Sequence, residues 1–254
     1  LVGSEMCIRD RFQTTWFYSH SGNPKANFAV LMDMTTDLEL MMWAGRETGN
    51  QQYIDRATRH FQLVIDRLVA SDGGTRHFAM FDKATGQFQG NETYQGYADD
   101  STWGRGQAWA IHSFASMARE TGRSDFLAAA RKVADYYLAN MPADGVTYWD
   151  FNDPAIPNTF RDSSAAAVAA SGMLQIAKLI TDPATSAKYR EGAEKILKSL
   201  IDNYLIKSPT TSAQRGLLEH GALDVPHRPA ANDVSLIFGD YYFLEALNRY
   251  RTLA

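Results

Sequence analysis

The sequence predicts an all-α chain of paired helices curved into an α/α toroid, and three observations predict it. Apolar residues recur at spacings of three and four along most of the chain. The resulting helices fall into pairs that repeat, and within each pair the first helix is the more apolar.

The periodicity places helices at about 27–47, 51–70, 104–120, 124–140, 162–180, 186–204 and 232–250. Strands are expected only as short hairpins in the intervening loops, around His77–Phe81 and Thr147–Phe151. The pairing shows in a repeated phrase. Glu47-Thr48-Gly49 is followed four residues after the glycine by Tyr53, and Glu120-Thr121-Gly122 is followed at the same spacing by Phe126. Each glycine is suited to end a helix in the left-handed conformation, with the aromatic packing at the start of the return helix. A looser copy runs from Thr181-Asp182-Pro183 to Tyr189. Leu38–Ala44, Ala108–Met117 and Ala165–Leu179 are apolar, whereas Asp55–Arg67, Arg131–Asp135 and Lys188–Lys198 carry charge, so the first helices line the inside and the second face outward. A closed ring of six hairpins needs twelve helices, so the toroid is expected to be incomplete at its N-terminal side and to expose apolar surface there.

The 254 residues are 45% hydrophobic, which suits one large domain rather than disorder. A net charge of -4, with no dense run of Lys or Arg, argues against nucleic acid as a partner. No segment approaches the roughly 18 consecutive apolar residues that span a bilayer. Leu1 to Arg11 fit neither a secretory signal nor the pattern that follows, and resemble translated adapter sequence. The native domain is therefore expected over residues 12–254, and Cys7 falls in the foreign segment.

Chemistry-bearing residues crowd the loop before the third helix, from Tyr94 through Gln95, Asp99, Asp100, Ser101, Trp103 and Arg105 to Trp109. Aromatic faces beside an amide, carboxylates and a guanidinium are what an acidic sugar requires; the plainer alternative is a helix start capped by Asp100 or Ser101 with the tryptophans in the core. Asp33 lies in the apolar run Phe28–Met34, where burial would favour its neutral form and suit it to donate a proton, or else it caps a helix beginning at Met34. Asp37 lies one turn on. His77, in a glycine-marked loop, either orients a substrate or is structural. Tyr148-Trp149-Asp150-Phe151 and Arg161-Asp162-Ser163-Ser164 could line the same mouth, although Asp162, like Asp233 before the last helix, suffices as a cap. No metal-ligand spacing, G-x-S-x-G or phosphate loop occurs.

The run Gln95–Trp109 resembles glycoside hydrolase family 88, the unsaturated glucuronyl hydrolases, whose signature reads much like Q-G-x-x-D-D-S-x-W-x-R-G-Q-A-W. The resemblance continues through Arg161–Ala166 and Asp233–Leu247. It implies an (α/α)6 barrel and removal of a 4,5-unsaturated uronic acid from an oligosaccharide by hydration of the C4=C5 bond. By the same resemblance Asp33 is the acid/base, His77, Gln95, Arg105 and Trp109 contact substrate, and no cofactor or metal is needed. The family carries a second Asp on an earlier helix that nothing before Phe12 supplies, so the full-length parent is expected to be active and this chain weakly active or inactive. A cytoplasmic or periplasmic location is the family expectation. Two other readings are open: an unsaturated rhamnogalacturonyl hydrolase, whose signature runs nearer W-x-R-G-N-G-W than the Arg105-Gly106-Gln107-Ala108-Trp109 present here, and a noncatalytic helical-repeat scaffold, which would place its polar clusters on helix surfaces.

Overall fold

A computed structural model of the chain describes residues 21–207 and 216–253; Leu1–Arg11, with Cys7, lie outside the described residues. Seven α-helices are present among them: α1 (Leu38–Thr48), α2 (Gln51–Leu68), α3 (Gly104–Thr121), α4 (Ser124–Asn140), α5 (Ser163–Leu179), α6 (Pro183–Ser199) and α7 (Ile237–Leu253). Short strands occupy the connections: β1 (Phe28–Leu31), β2 (Phe78–Phe81) and β3 (Phe88–Glu92) form one antiparallel sheet, and β4 (Gly221–Ala222) pairs with β5 (Asn232–Val234).

The hairpin turns follow the predicted chemistry. Gly49 and Gly122 adopt φ 65° and 66°, each closing its helix. Asp182 accepts from the Thr185 amide, and Pro183 occupies the first turn of α6, so that helix starts three residues earlier than predicted. Phe126 is fully buried, and Phe61 meets Phe114 and Phe126 edge-on at 4.7 and 4.6 Å, locking the first two hairpins together. Tyr53 departs from the repeat. It is exposed, and its neighbour Ile54 packs on Gly45 instead.

The inner layer is α3 and α5, with α1 and α7 flanking them. Every residue of α5 from Ser163 to Ala177 is buried, and its small side chains let it approach α3 closely. A methyl group at Gly172 would sit 2.7 Å from the His112 amide nitrogen and 2.8 Å from its Cα. Leu40 and Trp43 on α1, and Ile237, Tyr241 and Leu244 on α7, are exposed apolar side chains. Among the described residues no helix is long and apolar enough to cross a membrane.

Two predicted helices are shortened at their N-termini. The apolar run Phe28–Leu31 is a strand, not the start of a helix at 27, because it pairs with β2 in register Phe28↔Phe81 to Leu31↔Phe78, and a four-residue apolar run has no periodicity to decide the matter. The final helix begins at Ile237, because Asn232–Val234 pairs with β4. Around Thr147–Phe151 only isolated bridges form, Tyr148 with Arg161 and Trp103 with Asp150.

Replacing Gly172 with Ala tests the close α3–α5 contact. Helix propensity alone would gain about 1 kcal/mol, but a Cβ against backbone cannot be relieved by a rotamer change, and overpacking of about 1–3 kcal/mol should win. Thermal denaturation is expected to show a lowered Tm; a raised Tm would refute the contact.

Candidate active site

The paired ends of β1 and β2 bring Asp33 and His77 together. Beyond Leu31 the Met32 amide donates to the His77 carbonyl at 3.0 Å, and the chain then turns through the 3-10 segment Asp33–Asp37. Thr35 fixes that turn: its hydroxyl donates to the Met32 carbonyl at 2.6 Å and lies 2.7 Å from the Ser113 hydroxyl on α3. Asp33 caps no helix, so the capping alternative fails. Its side chain keeps 32% exposure, yet Oδ1 itself is buried without a hydrogen bond and lies 3.8 Å from His77 Nε2, which is equally unpartnered. Burial raises the Asp33 pKa to about 6; Arg105 and its own backbone amide oppose the rise, and Asp37 adds to it.

The tautomer of His77 follows from its neighbours. Nδ1 accepts from the amides of Tyr94 and Gln95 at 3.2 and 3.3 Å and lies 3.2 Å from the Thr93 hydroxyl, so the ring proton belongs on Nε2 and points at Asp33. Burial, with the Arg105 charge, lowers the His77 pKa to about 3. His77 is thus a neutral hydrogen-bond donor across the physiological range. Its ring packs between Phe78 and Trp103, at 4.0 and 4.6 Å.

Arg105 stands in the first turn of α3, almost fully buried. Nη1 donates to Asp162 Oδ2 at 2.9 Å and to the Ala222 carbonyl at 2.5 Å, Nη2 donates to the Leu223 carbonyl at 2.5 Å, and the Trp103 and Phe238 rings flank it at 4.4 and 5.3 Å. Gln95 shares that anchor, donating from Nε2 to the Leu223 carbonyl at 2.7 Å. Trp109, one helical turn after Arg105, is half-buried with Tyr242 edge-on at 5.2 Å and Phe238 at 6.0 Å. Tyr94 stacks flat on His227 at 4.0 Å.

Several capping expectations change. α3 is not capped by Asp100 or Ser101; the cap position is Trp103, and Ser101 instead donates to Asp150 Oδ2 at 2.7 Å. Asp162 does cap α5, accepting from the Ser164 and Ala165 amides, and adds the ion pair to Arg105 that spacing did not reveal. Asp233 caps nothing: it lies in β5 with φ 61° and pairs with His220. Arg161 is occupied by Asp144, the Val146 carbonyl and the Tyr148 ring. Among the described residues no group of three or more His, Cys, Asp or Glu could hold a metal ion.

The family model described as Glycosyl Hydrolase Family 88 matches residues 30–223. An unsaturated glucuronyl hydrolase of Bacillus sp. strain GL1 is 36% identical over 230 residues, covering 90% of this chain and 60% of that protein. The crystal structure of unsaturated glucuronyl hydrolase from Bacillus sp. GL1, responsible for glycosaminoglycan degradation, matches with a TM-score of 0.83 over 91% of this chain and 61% of that one, at 36% identity. A Streptococcus agalactiae unsaturated glucuronyl hydrolase mutant complexed with dGlcA-GalNAc6S matches with a TM-score of 0.76 over 87% of this chain and 58% of that one, at 32% identity. This chain spans about 60% of the length of the Bacillus relative. The helical fold of these structures is the (α/α)6 barrel expected from the sequence. With three quarters of its length matched by one family model and its fold shared over 91% of the chain, the chain belongs to glycosyl hydrolase family 88.

Proposed function

We propose that the protein removes a 4,5-unsaturated uronic acid from the non-reducing end of an oligosaccharide by acid/base hydration of the C4=C5 bond, with Asp33 as the acid/base. The observation that carries this reading is the facing pair of unpartnered buried atoms, Asp33 Oδ1 and His77 Nε2. Buried polar atoms normally have partners, and two aimed at one gap describe a place for a polar ligand. Asp33, neutral below about pH 6, donates its proton to C4 as positive charge develops at C5 and the ring oxygen. A water then adds to C5 and returns a proton to Asp33. The hemiketal so formed opens and releases the remaining sugar.

His77 Nε2–H donates to a substrate oxygen beside Asp33, and Gln95 has its carbonyl oxygen and second amide proton available. Trp109 supplies a ring face. Arg105 contributes its field and the remaining Nη2 hydrogen, because its other contacts hold the fold. Relatives named unsaturated glucuronyl and chondroitin disaccharide hydrolases support the glucuronyl over the rhamnogalacturonyl reading, and the polar cluster gathers in loops and the first turns of α3 at one end of the inner helices, which disfavours a scaffold.

Loss of the ultraviolet absorbance of the conjugated C4=C5 bond, with an unsaturated glucuronyl disaccharide, measures the reaction. Full turnover is expected for the full-length parent and weak turnover at most for this chain, with a loss of at least about 10²-fold in either for Asp33→Asn. Equal rates with and without the substitution would remove Asp33 from the role assigned to it.

Asp33→Asn should also gain stability, and the sign can be worked out. A carboxyl whose folded pKa lies above its unfolded value favours folding below the unfolded value and loses that contribution as pH rises through the folded value, here about 6. Above pH 6 the ionised carboxylate therefore costs stability that Asn does not, of order 1 kcal/mol once its partial exposure is discounted. Melting curves at pH 5 and 8 should show the variant's advantage growing with pH; a constant difference would contradict the raised pKa.

The pH–rate profiles carry a further expectation. kcat/KM, which reports the free enzyme, should fall above about pH 6, while kcat should fall at a higher pH, because an anionic sugar beside Asp33 opposes the Arg105 field and raises the carboxyl further. Coincident limbs in the two profiles would count against a carboxylate-bearing substrate near Asp33. His77, already neutral, should contribute no titration between pH 5 and 8.

A further inference from the structure

The loop on which Arg105 and Gln95 depend is fastened at its base by a pair of residues outside the reacting groups. β4 and β5 pair as Gly221↔Val234 and Ala222↔Asn232, and the end of β4 with the connection that follows supplies the Ala222 and Leu223 carbonyls that hold Arg105 and Gln95. Asn232 braces this connection from within: Oδ1 accepts from the Asp224 amide at 3.0 Å, and Nδ2 donates to the Asp224 and Arg228 carbonyls at 3.2 and 3.0 Å.

At the base stand His220 and Asp233, with φ 62° and 61°, the two non-glycine residues with left-handed backbone among those described. Their side chains meet, His220 Nδ1 donating to Asp233 Oδ1 at 2.5 Å. His220 Nε2 faces Glu219 Oε1 at 3.8 Å, its ring lies edge-on to Tyr204, and its carbonyl accepts from the Ser163 amide at the start of α5. The side chains are 46% and 57% exposed, so the pair itself contributes little stability, while two side-chain-bearing residues at positive φ oppose folding. Strain kept for so little return in stability is expected where backbone geometry is fixed for a site.

We propose that His220 and Asp233 form a positioning clamp that fixes the 221–232 loop in the arrangement in which the Ala222 and Leu223 carbonyls hold Arg105 and Gln95 against Asp33 and His77. The bond needs only a proton on Nδ1, which the neutral ring can carry, so the clamp does not depend on the charge of His220. Its effect on turnover rests on the function proposed above; its effect on the loop does not.

The test therefore uses readouts that need no turnover: hydrogen–deuterium exchange across 221–232, and the titration of the Asp33 carboxyl by carbon NMR, with Arg105, His77 and Asp37 as the groups facing that carboxyl. In His220→Ala and Asp233→Ala, exchange in the loop should be roughly tenfold faster, with the rest of the chain unchanged. The Asp33 titration should move to higher pH as Arg105 is held less firmly. Asp233→Gly, which accepts φ 61° freely, should loosen the loop equally with Tm unchanged or raised, whereas Asp233→Asn, which retains an acceptor and tolerates that backbone, should behave as the unaltered protein. Unchanged exchange and titration in both alanine variants would overturn the clamp, and so would an Asp233→Gly variant that lowers Tm and exchanges faster throughout. A full-length parent that leaves the disaccharide intact while the loop responds as expected would sink the proposed function and leave the clamp standing.

Discussion

The burial of one guanidinium constrains the rest of this structure. Arg105 is removed from water in the first turn of α3, and an uncompensated charge there would cost several kcal/mol. Its compensation comes from three distant stretches of chain and from its near neighbour Trp103. Asp162 supplies the opposite charge from the start of α5, the β4 loop supplies two carbonyls, and the Trp103 and Phe238 rings cover the planar faces. Removing Asp162 alone would leave the charge stranded, at a cost of about 3–5 kcal/mol. The ion pair is therefore better understood as a constraint on which elements must meet than as a net source of stability.

The same charge acts on the facing pair Asp33 and His77. Asp33 and His77 are both desolvated, which raises the carboxyl and lowers the imidazole, and Arg105 lowers both. For Asp33 the two influences oppose each other and burial wins, leaving its pKa at about 6, a value that suits the acid/base role proposed for it. For His77 they add. The two backbone amides on Nδ1 then leave a neutral ring whose single proton faces the gap. Burial thus drives the two groups apart, raising the carboxyl and lowering the imidazole, while Arg105 moderates the first shift and deepens the second.

Much of the hairpin scaffold was legible in the sequence because its signals are local. Gly49, Gly122 and Asp182 mark helix ends by chemistry that acts within one turn. The misread stretches are those decided by distant pairing: Phe28–Leu31 is a strand because β2 lies beside it, and Asn232–Val234 because β4 does. Asp33 and His77 could be singled out one at a time, Asp33 by its apolar surroundings and His77 by its loop, but not as a facing pair, since 44 residues separate them. The missed partners had weaker signals still. A backbone carbonyl such as that of Leu223 has no sequence signature, and Asp162 offers its capping role so plainly that its second role is hidden.

The direction of the inner helices explains why this constellation sits at one rim. Hairpins alternate direction, so α1, α3, α5 and α7 present their N-termini to the same end, and their aligned peptide dipoles give that end a positive potential. Asp162 lies where this potential favours it. Arg105, in the first turn of α3, lies where it does not, and the close α3–α5 contact allowed by Gly172 keeps its counter-charge at hand. At this end β1 and β2 bring Asp33 beside His77, and Gln95 and Arg105 tie the β4 loop to the same site. A rim lined by helix N-termini and one compensated guanidinium, with the Asp33 carboxyl and a neutral histidine facing each other unpartnered, suits the polar, anionic ligand that the proposed function calls for.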